Sequence, residues 1–331
     1  MPSDVDFHLP FPSVISPDAD VAEAHTIAWL LHHGVLRNQE EARYIQAMRP
    51  GDIAGRMYPE ARGADLDLAI DHMCLVCLVN DQVDSTTGQR ARQAAAICHD
   101  VLALLRSDHS SRPTTAFGTA WCEVWDRLSR GMSPQWRDRT ISDHVAFFSE
   151  LLSEQRLSRT FSTVEDYDRR RQVSTGTQIW LDVTERVGRY EVPDRALASE
   201  VVQGLLKEAN TLVYLPSDVH GVEREELRGE TDNMILVIEH TTGRPREDVI
   251  AEIQAVVHDA AERFLRLQSE VPGLYARLRL DAAEQAALAS HIRAMTHIIR
   301  GSYDWARTGT ARGDLNGVEL AVASGYEDIH H

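Results

Sequence analysis

The stretch L-A-I-D-H-M-C-L-V-C-L-V, Leu68 to Val79, is almost wholly apolar and lies inside a helical pattern running from Asp65 to Asp84. A helix that is apolar on most sides must be wrapped by other elements, because no single face of it tolerates water. The rest of the chain supplies helices for the purpose. Patterns of helical period run over Ala22 to His33, Gln39 to Met48, Gly88 to Arg106, Ala116 to Met132, Pro134 to Leu157 and Val164 to Val187. Four more follow, over Pro193 to Tyr214, Thr231 to His240, Pro245 to Val271 and Leu274 to Arg307. Breakers at Ser133-Pro134, Gly188, Val192-Pro193, Gly243 to Pro245 and Pro272-Gly273 separate them. The expectation is an all-α fold.

With 331 residues, 43% of them hydrophobic, the chain is long enough for one large helical domain with a sizeable core. No repeat, low-complexity linker or charge block divides it. A Pro-punctuated leader, F-H-L-P-F-P-S-V-I-S-P, makes residues 1–20 an extended arm; residues 21–312 form the helical domain and residues 313–331 a loose tail.

The formal charge of −17, from 51 acidic against 34 basic residues, repels nucleic acid and anionic lipid surfaces. An anionic substrate therefore needs local help from metal ions or clustered arginines. Cys74 and Cys77 share a face of the apolar helix and, with Cys98 and Cys122, read as reduced thiols and not as a zinc site. The leader lacks the basic and apolar regions of a secretion signal, and no run approaches the ~18 apolar residues of a membrane span. A cytoplasmic protein is expected.

At the end of the apolar helix, L-V-N-D-Q-V-D-S places Asn80, Asp81 and Asp84 within one turn of each other. Carboxylates there face the negative end of the helix dipole, which is unfavourable without a cation. Oxygen-only ligands suit magnesium, above all where a diphosphate adds further oxygens. A solvated helix end is the bland alternative, and only a partner cluster argues against it. In L-P-S-D-V-H-G-V-E-R-E, Ser217, Gly221 and Glu225 fall on one helical face, with Asp218 and Arg224 alongside.

Together these segments resemble the bacterial class I terpene synthases, whose motifs read D-D-x-x-D and N-D-x-x-S-x-x-x-E with a basic residue before the Glu. The resemblance extends over nearly the whole chain, through L-P-F-P, Y-P-E-A, W-L-D-V-T-E-R, Y-E-V-P and I-I-R-G-S-Y-D-W. It implies a single-domain helical bundle around a central apolar cavity and a set of Mg2+ ions, three with diphosphate bound. It further implies Asn80, Asp81, Asp84, Ser217 and Glu225 at the metals, and Arg171, Arg224 and Arg312 on the diphosphate. Arg171 takes the place of the diphosphate sensor because it lies 46 residues before Ser217, although counting from Gly176 selects Gln172. Ser174, Thr175 and Gly176 are candidates for the main-chain carbonyl that triggers ionisation. Phe147, Phe148, Trp180 and Trp305 are candidate cavity walls, each also readable as plain core.

Four positions depart from the family pattern. Asn80 replaces the first Asp, Ser217 the Asn, Gly221 the Ser, and Gly313 a terminal Tyr. Asn80 keeps an oxygen but loses a charge, and Gly221 leaves room for a water. The implied activity is ionisation of a prenyl diphosphate, farnesyl or else geranylgeranyl, and cyclisation of the cation, with a homodimer compatible. The alternatives are a degenerate relative that binds without turnover and a prenyltransferase using a separate acceptor.

Overall fold

In the computed structural model, residues 2–85, 89–107, 112–153 and 160–307 are described. Among them every regular element is helical. The chain enters through a 3-10 turn, Pro2–Asp4, then α1 (Ala19–His32), α2 (Gln39–Met48), α3 (Pro50–Met57), α4 (Gly63–Ser85), α5 (Gln89–Arg106), α6 (Ala116–Ser129) and α7 (Pro134–Leu151). It continues as α8 (Val164–Ser174), α9 (Thr177–Gly188), α10 (Asp194–Leu197), α11 (Glu200–Leu227), α12 (Met234–Thr242), α13 (Arg246–Leu278) and α14 (Ala282–Ala306).

The apolar helix α4 is wrapped as expected, by α1, α3, α5, α6 and α9. Leu66, Ala69, Ile70, Met73, Cys74 and Leu75 are each 1% exposed or less. The other long helix, α11, packs chiefly on α13 and α14. Around His72 of α4 lies an aromatic layer in which His72 and His144 meet through their Nε2 atoms at 2.8 Å, flanked by Trp121 and Trp180. His144 Nδ1 is 2.7 Å from the Thr140 carbonyl, so that nitrogen is the donor and His72 supplies the proton between the rings. Burial and the neighbouring His144 lower the affinity of His72 for a second proton, which keeps His72 neutral.

The leader is extended and packed, with Phe7, Leu9 and Phe11 buried. Phe7 N–H donates to the Tyr303 hydroxyl at 3.1 Å, and Arg300 donates to the Leu9 and Phe11 carbonyls at 3.2 Å each. The arm is thereby tied to the last helix.

Three helix readings need correction. α11 does not stop at Tyr214 but runs through Pro216 to Leu227, since packing along its length outweighs one lost amide donor. α13 likewise runs through Pro272, and the chain turns at Arg279, whose φ of 52° is left-handed. The segment Val164 to Val187 is two helices, broken where Gly176 adopts φ 78°. In addition α3, Pro50–Met57, was not anticipated: Pro50 opens its first turn, and Gly51 and Gly55 let it approach α1 closely.

Candidate active site

Met73, Val76, Cys77 and Asn80 recur along one face of α4 and line a single cavity of about 190 Å³. The lining turns from apolar to polar as α4 nears its C-terminal end. Opposite, α11 contributes Val213, Tyr214, Ser217, Gly221, Arg224 and Glu225 to the same cavity. The end of α8 adds Arg171, Ser174 and Thr175, and Trp180, Phe147 and Trp305 supply aromatic wall.

The structure thus brings Asn80 of α4, Arg171 of α8, and Ser217, Arg224 and Glu225 of α11 onto one cavity. Asp81 is not among the lining residues; it is buried at 1% exposure. Asp84 lies one turn beyond Asn80 in α4, its side chain outside the described residues. Arg312 and Gly313 also lie outside them. Of the sensor alternatives, Arg171 faces the cavity, whereas Gln172 donates to Thr211 Oγ1 at 3.4 Å. The Gly176 carbonyl accepts the Trp180 N–H at 3.0 Å as the first bond of α9, while Ser174 and Thr175 reach the cavity. Phe148 is core, packed edge-on against Trp121 and fully buried.

Arg171 is held on two sides. Its guanidinium donates to Asp218 Oδ1 at 3.3 Å and lies 5.4 Å from the centre of the Tyr214 ring. The other oxygen of Asp218 accepts from the Tyr167 hydroxyl at 2.6 Å and from Met234 N–H at 3.0 Å. Burial lifts the Asp218 carboxyl well above the ordinary carboxylate range, against the pull of Arg171. Beside this network Arg170 pairs with Asp232 at 2.8 Å. Tyr167, Asp232 and Asn233 were not singled out from sequence; only Asn233 carried a readable signal, an Asn preceding an apolar helical run.

Two orphaned donors say what the cavity is suited to hold. Arg171 Nε and Arg224 Nε are buried with no hydrogen-bond partner among the described residues. Buried guanidinium N–H groups left unpaired are costly, and an oxyanion with several acceptor oxygens satisfies them in the fork geometry that arginine favours. For a metal the donors are Asn80, Ser217 and Glu225, all oxygen. Among the described residues no three His, Cys, Asp or Glu side chains gather as a cage. The all-oxygen donor set fits a hard divalent cation that keeps waters and shares phosphate oxygens, whereas zinc would call for nitrogen or sulfur. No helix among the described residues is long and apolar enough to cross a membrane.

Comparison with known proteins agrees with this arrangement. Residues 71–263 match the family described as terpene synthase family 2, C-terminal metal binding. The chain is 34% identical to a (−)-β-caryophyllene synthase, (2E,6E)-farnesyl diphosphate cyclizing, of Saccharothrix espanaensis, over 99% of this chain and 94% of that protein. It is 35% identical to pentalenene synthase of Streptomyces arenae, over 98% of this chain and 97% of the relative. The fold superimposes on linalool/nerolidol synthase from Streptomyces clavuligerus in complex with 2-fluorogeranyl diphosphate with a TM-score of 0.82. That match has 28% identity and covers 92% of this chain and 99% of the other. By its matched helices, its cavity and its relatives across nearly the full length, this chain belongs to the terpene synthase family.

Proposed function

We propose that the protein is a carbon–oxygen lyase that ionises a prenyl diphosphate, farnesyl diphosphate in the first instance, and cyclises the resulting cation to a terpene. The observation that carries this reading is the pair of buried Nε–H groups of Arg171 and Arg224, without partners among the described residues, lining the same cavity as Asn80, Ser217 and Glu225 and as the apolar and aromatic side chains of Met73, Val76, Phe147 and Trp180.

Asn80, Asp84, Ser217 and Glu225 would hold Mg2+, with Glu225 Oε1 lying over Gly221, where a side chain would collide with it. Bound Mg2+, three ions with diphosphate in place, supplies Lewis-acid stabilisation of the leaving diphosphate. Arg171 and Arg224, with Arg312 from beyond α14, donate to its oxygens as the allylic C–O bond breaks and the electron pair leaves with it. Asp218 keeps Arg171 oriented, and Ser174 and Thr175 sit where the chain breaks between α8 and α9. Met73, Val76 and Met57 then fold the prenyl chain and exclude water, while Phe147, Trp180 and Trp305 present aromatic faces to the migrating charge. Loss of a proton or capture of one water ends the reaction.

Farnesyl diphosphate is preferred because relatives that align over nearly the whole chain carry it in their names. The test is incubation of the purified protein and Mg2+ with geranyl, farnesyl and geranylgeranyl diphosphates separately. Pyrophosphate is measured, and hydrocarbons are analysed by gas chromatography with mass detection. A cyclic C15 product that EDTA abolishes is expected. A cyclic product only from the C20 substrate would move the chain length, pyrophosphate release only with an added acceptor would make the protein a prenyltransferase, and intact substrate in all three would make it a binder.

A further inference from the structure

Asn233 is fully buried at the junction of α11 and α12, and every polar atom of its side chain is committed. Its Oδ1 accepts the Ile235 N–H at 2.8 Å and so caps α12. Its Nδ2 donates twice to α11: to the Asp218 carbonyl at 2.8 Å, and to Glu225 Oε2 at 2.7 Å, about two turns further on. A cap alone needs only the oxygen; the two amide protons are spent on the neighbouring helix.

The second bond fixes how Glu225 meets the cavity. With Oε2 taken by Asn233, Oε1 swings over residue 221, where a Cβ on Gly221 would stand only 2.6 Å from it. On its other side Arg224 approaches Oε1 to 3.7 Å. A glutamate on a helix facing a cavity ordinarily samples several rotamers and surrenders them on binding a metal. Here an amide behind the carboxylate selects one rotamer, and the missing side chain at Gly221 makes room for it.

We infer that Asn233 is a positioning residue for Glu225, holding Oε2 so that Oε1 is presented to a divalent cation, and that this role is separable from its capping of α12. The inference rests on the reading of Glu225 as a metal ligand given above.

Asn233→Asp and Asn233→Ser separate the two roles, because each retains an oxygen acceptor for the Ile235 N–H and removes the amide donor. The measurement is Mn2+ binding in the presence of inorganic pyrophosphate, followed by electron paramagnetic resonance, on the full chain, both variants and Glu225→Gln, with thermal unfolding of each. Groups that orient a metal ligand from behind typically change metal affinity by roughly 10- to 100-fold, and a loss in that range is expected for both Asn233 variants. Wild-type affinity in either Asn233 variant overturns the assignment. So does a loss that merely follows the fraction of unfolded protein, with the folded fraction binding as wild type does. Should Glu225→Gln itself bind Mn2+ normally, the metal reading of Glu225 fails; should Glu225→Gln lose affinity while the Asn233 variants keep it, only the role of Asn233 fails.

Discussion

Arg171 and Asp218 form a buried ion pair across 3.3 Å, their side chains 16% and 4% exposed. Arg171 is therefore held in place and not left free in solvent. It is anchored from α11, with one guanidinium nitrogen on Asp218 and the Nε–H without a partner among the described residues. Such a pair orients a charge in advance, which lowers the reorganisation needed when an anion arrives.

Breaking that pair from one side leaves a buried guanidinium that has lost its hydrogen-bonded carboxylate, with the more distant Asp232 and Glu225 left to offset it. Asp218→Asn is expected to lower unfolding stability by about 3 kcal/mol and turnover by at least ~tenfold. Combining it with Arg171→Met should recover part of the stability, giving a coupling energy of ~1–3 kcal/mol in a double-mutant cycle from urea unfolding. Additive losses would mean that the contact carries no energy of its own.

Gly176 gives a second prediction from backbone geometry. Its φ of 78° is left-handed, and an added Cβ would lie 3.0 Å from Trp180 Nε1 and 3.4 Å from Phe147 Cε2. Gly176→Ala should cost about 1–2 kcal/mol from backbone strain and displace two cavity-wall aromatics. The measurable result is a lower urea midpoint together with an altered product ratio by gas chromatography. An unchanged ratio would detach Gly176 from the shape of the cavity.

A third concerns pH and lies away from the substrate. Glu185 sits 2.6 Å from Arg139 and 3.4 Å from His291 Nδ1. Burial lifts the Glu185 carboxyl to about 7, with Arg139 opposing, and burial lowers His291 to about 3. Asp143, to about 6, and Asp182 are raised by burial in the same cluster. A raised carboxyl holds its proton in the folded state and releases it in the unfolded one, so its contribution is full below about 4.5 and is lost as pH rises through about 7. His291 acts with the opposite sign between about 3 and 6.5 and partly masks this in the wild type. Comparison with Glu185→Gln isolates the effect: relative to wild type the variant should gain up to about 3 kcal/mol between pH 4.5 and pH 8. A pH-independent difference in urea unfolding would contradict it.

Periodicity made much of this molecule readable. The spacing of Ser217, Gly221 and Glu225 puts them on one helical face even though the helix pattern itself is read as ending at Tyr214, and the cavity joins them to Asn80 because α11 carries that spacing on through Pro216 to Leu227. What misled were prolines. Pro216 and Pro272 look like stops, yet each lies inside a helix whose neighbours bury it along its length. The boundary lies instead where α14 begins, at D-A-A-E, where Asp281 and Glu284 form a capping box less conspicuous than Pro-Gly. The partnership of Asn233 with Glu225 had no such signature. A residue that caps one helix and orients a carboxylate on another is legible only once the two helices are placed side by side.

Asn80 and Asp81 make the sharpest test of the metal site, because adjacent residues on α4 have different surroundings. Asn80 lines the cavity, whereas Asp81 is turned into the core at 1% exposure. Asn80→Asp adds a negative charge within reach of a bound dication while keeping the shape of the side chain, so Coulomb attraction in a poorly hydrated cavity should tighten Mg2+. The Mg2+ concentration for half-maximal pyrophosphate release is expected to fall about fivefold or more, roughly 1 kcal/mol, with the effect shrinking at high salt only slightly because the site is shielded. Asp81→Asn removes a charge of the same sign one residue away and should change thermal stability while leaving that Mg2+ concentration within about twofold. If the two variants shift the metal titration equally, a general field effect is at work and Asn80 is not a ligand; if only Asp81→Asn shifts it, the binding face of α4 has been assigned to the wrong side of the helix.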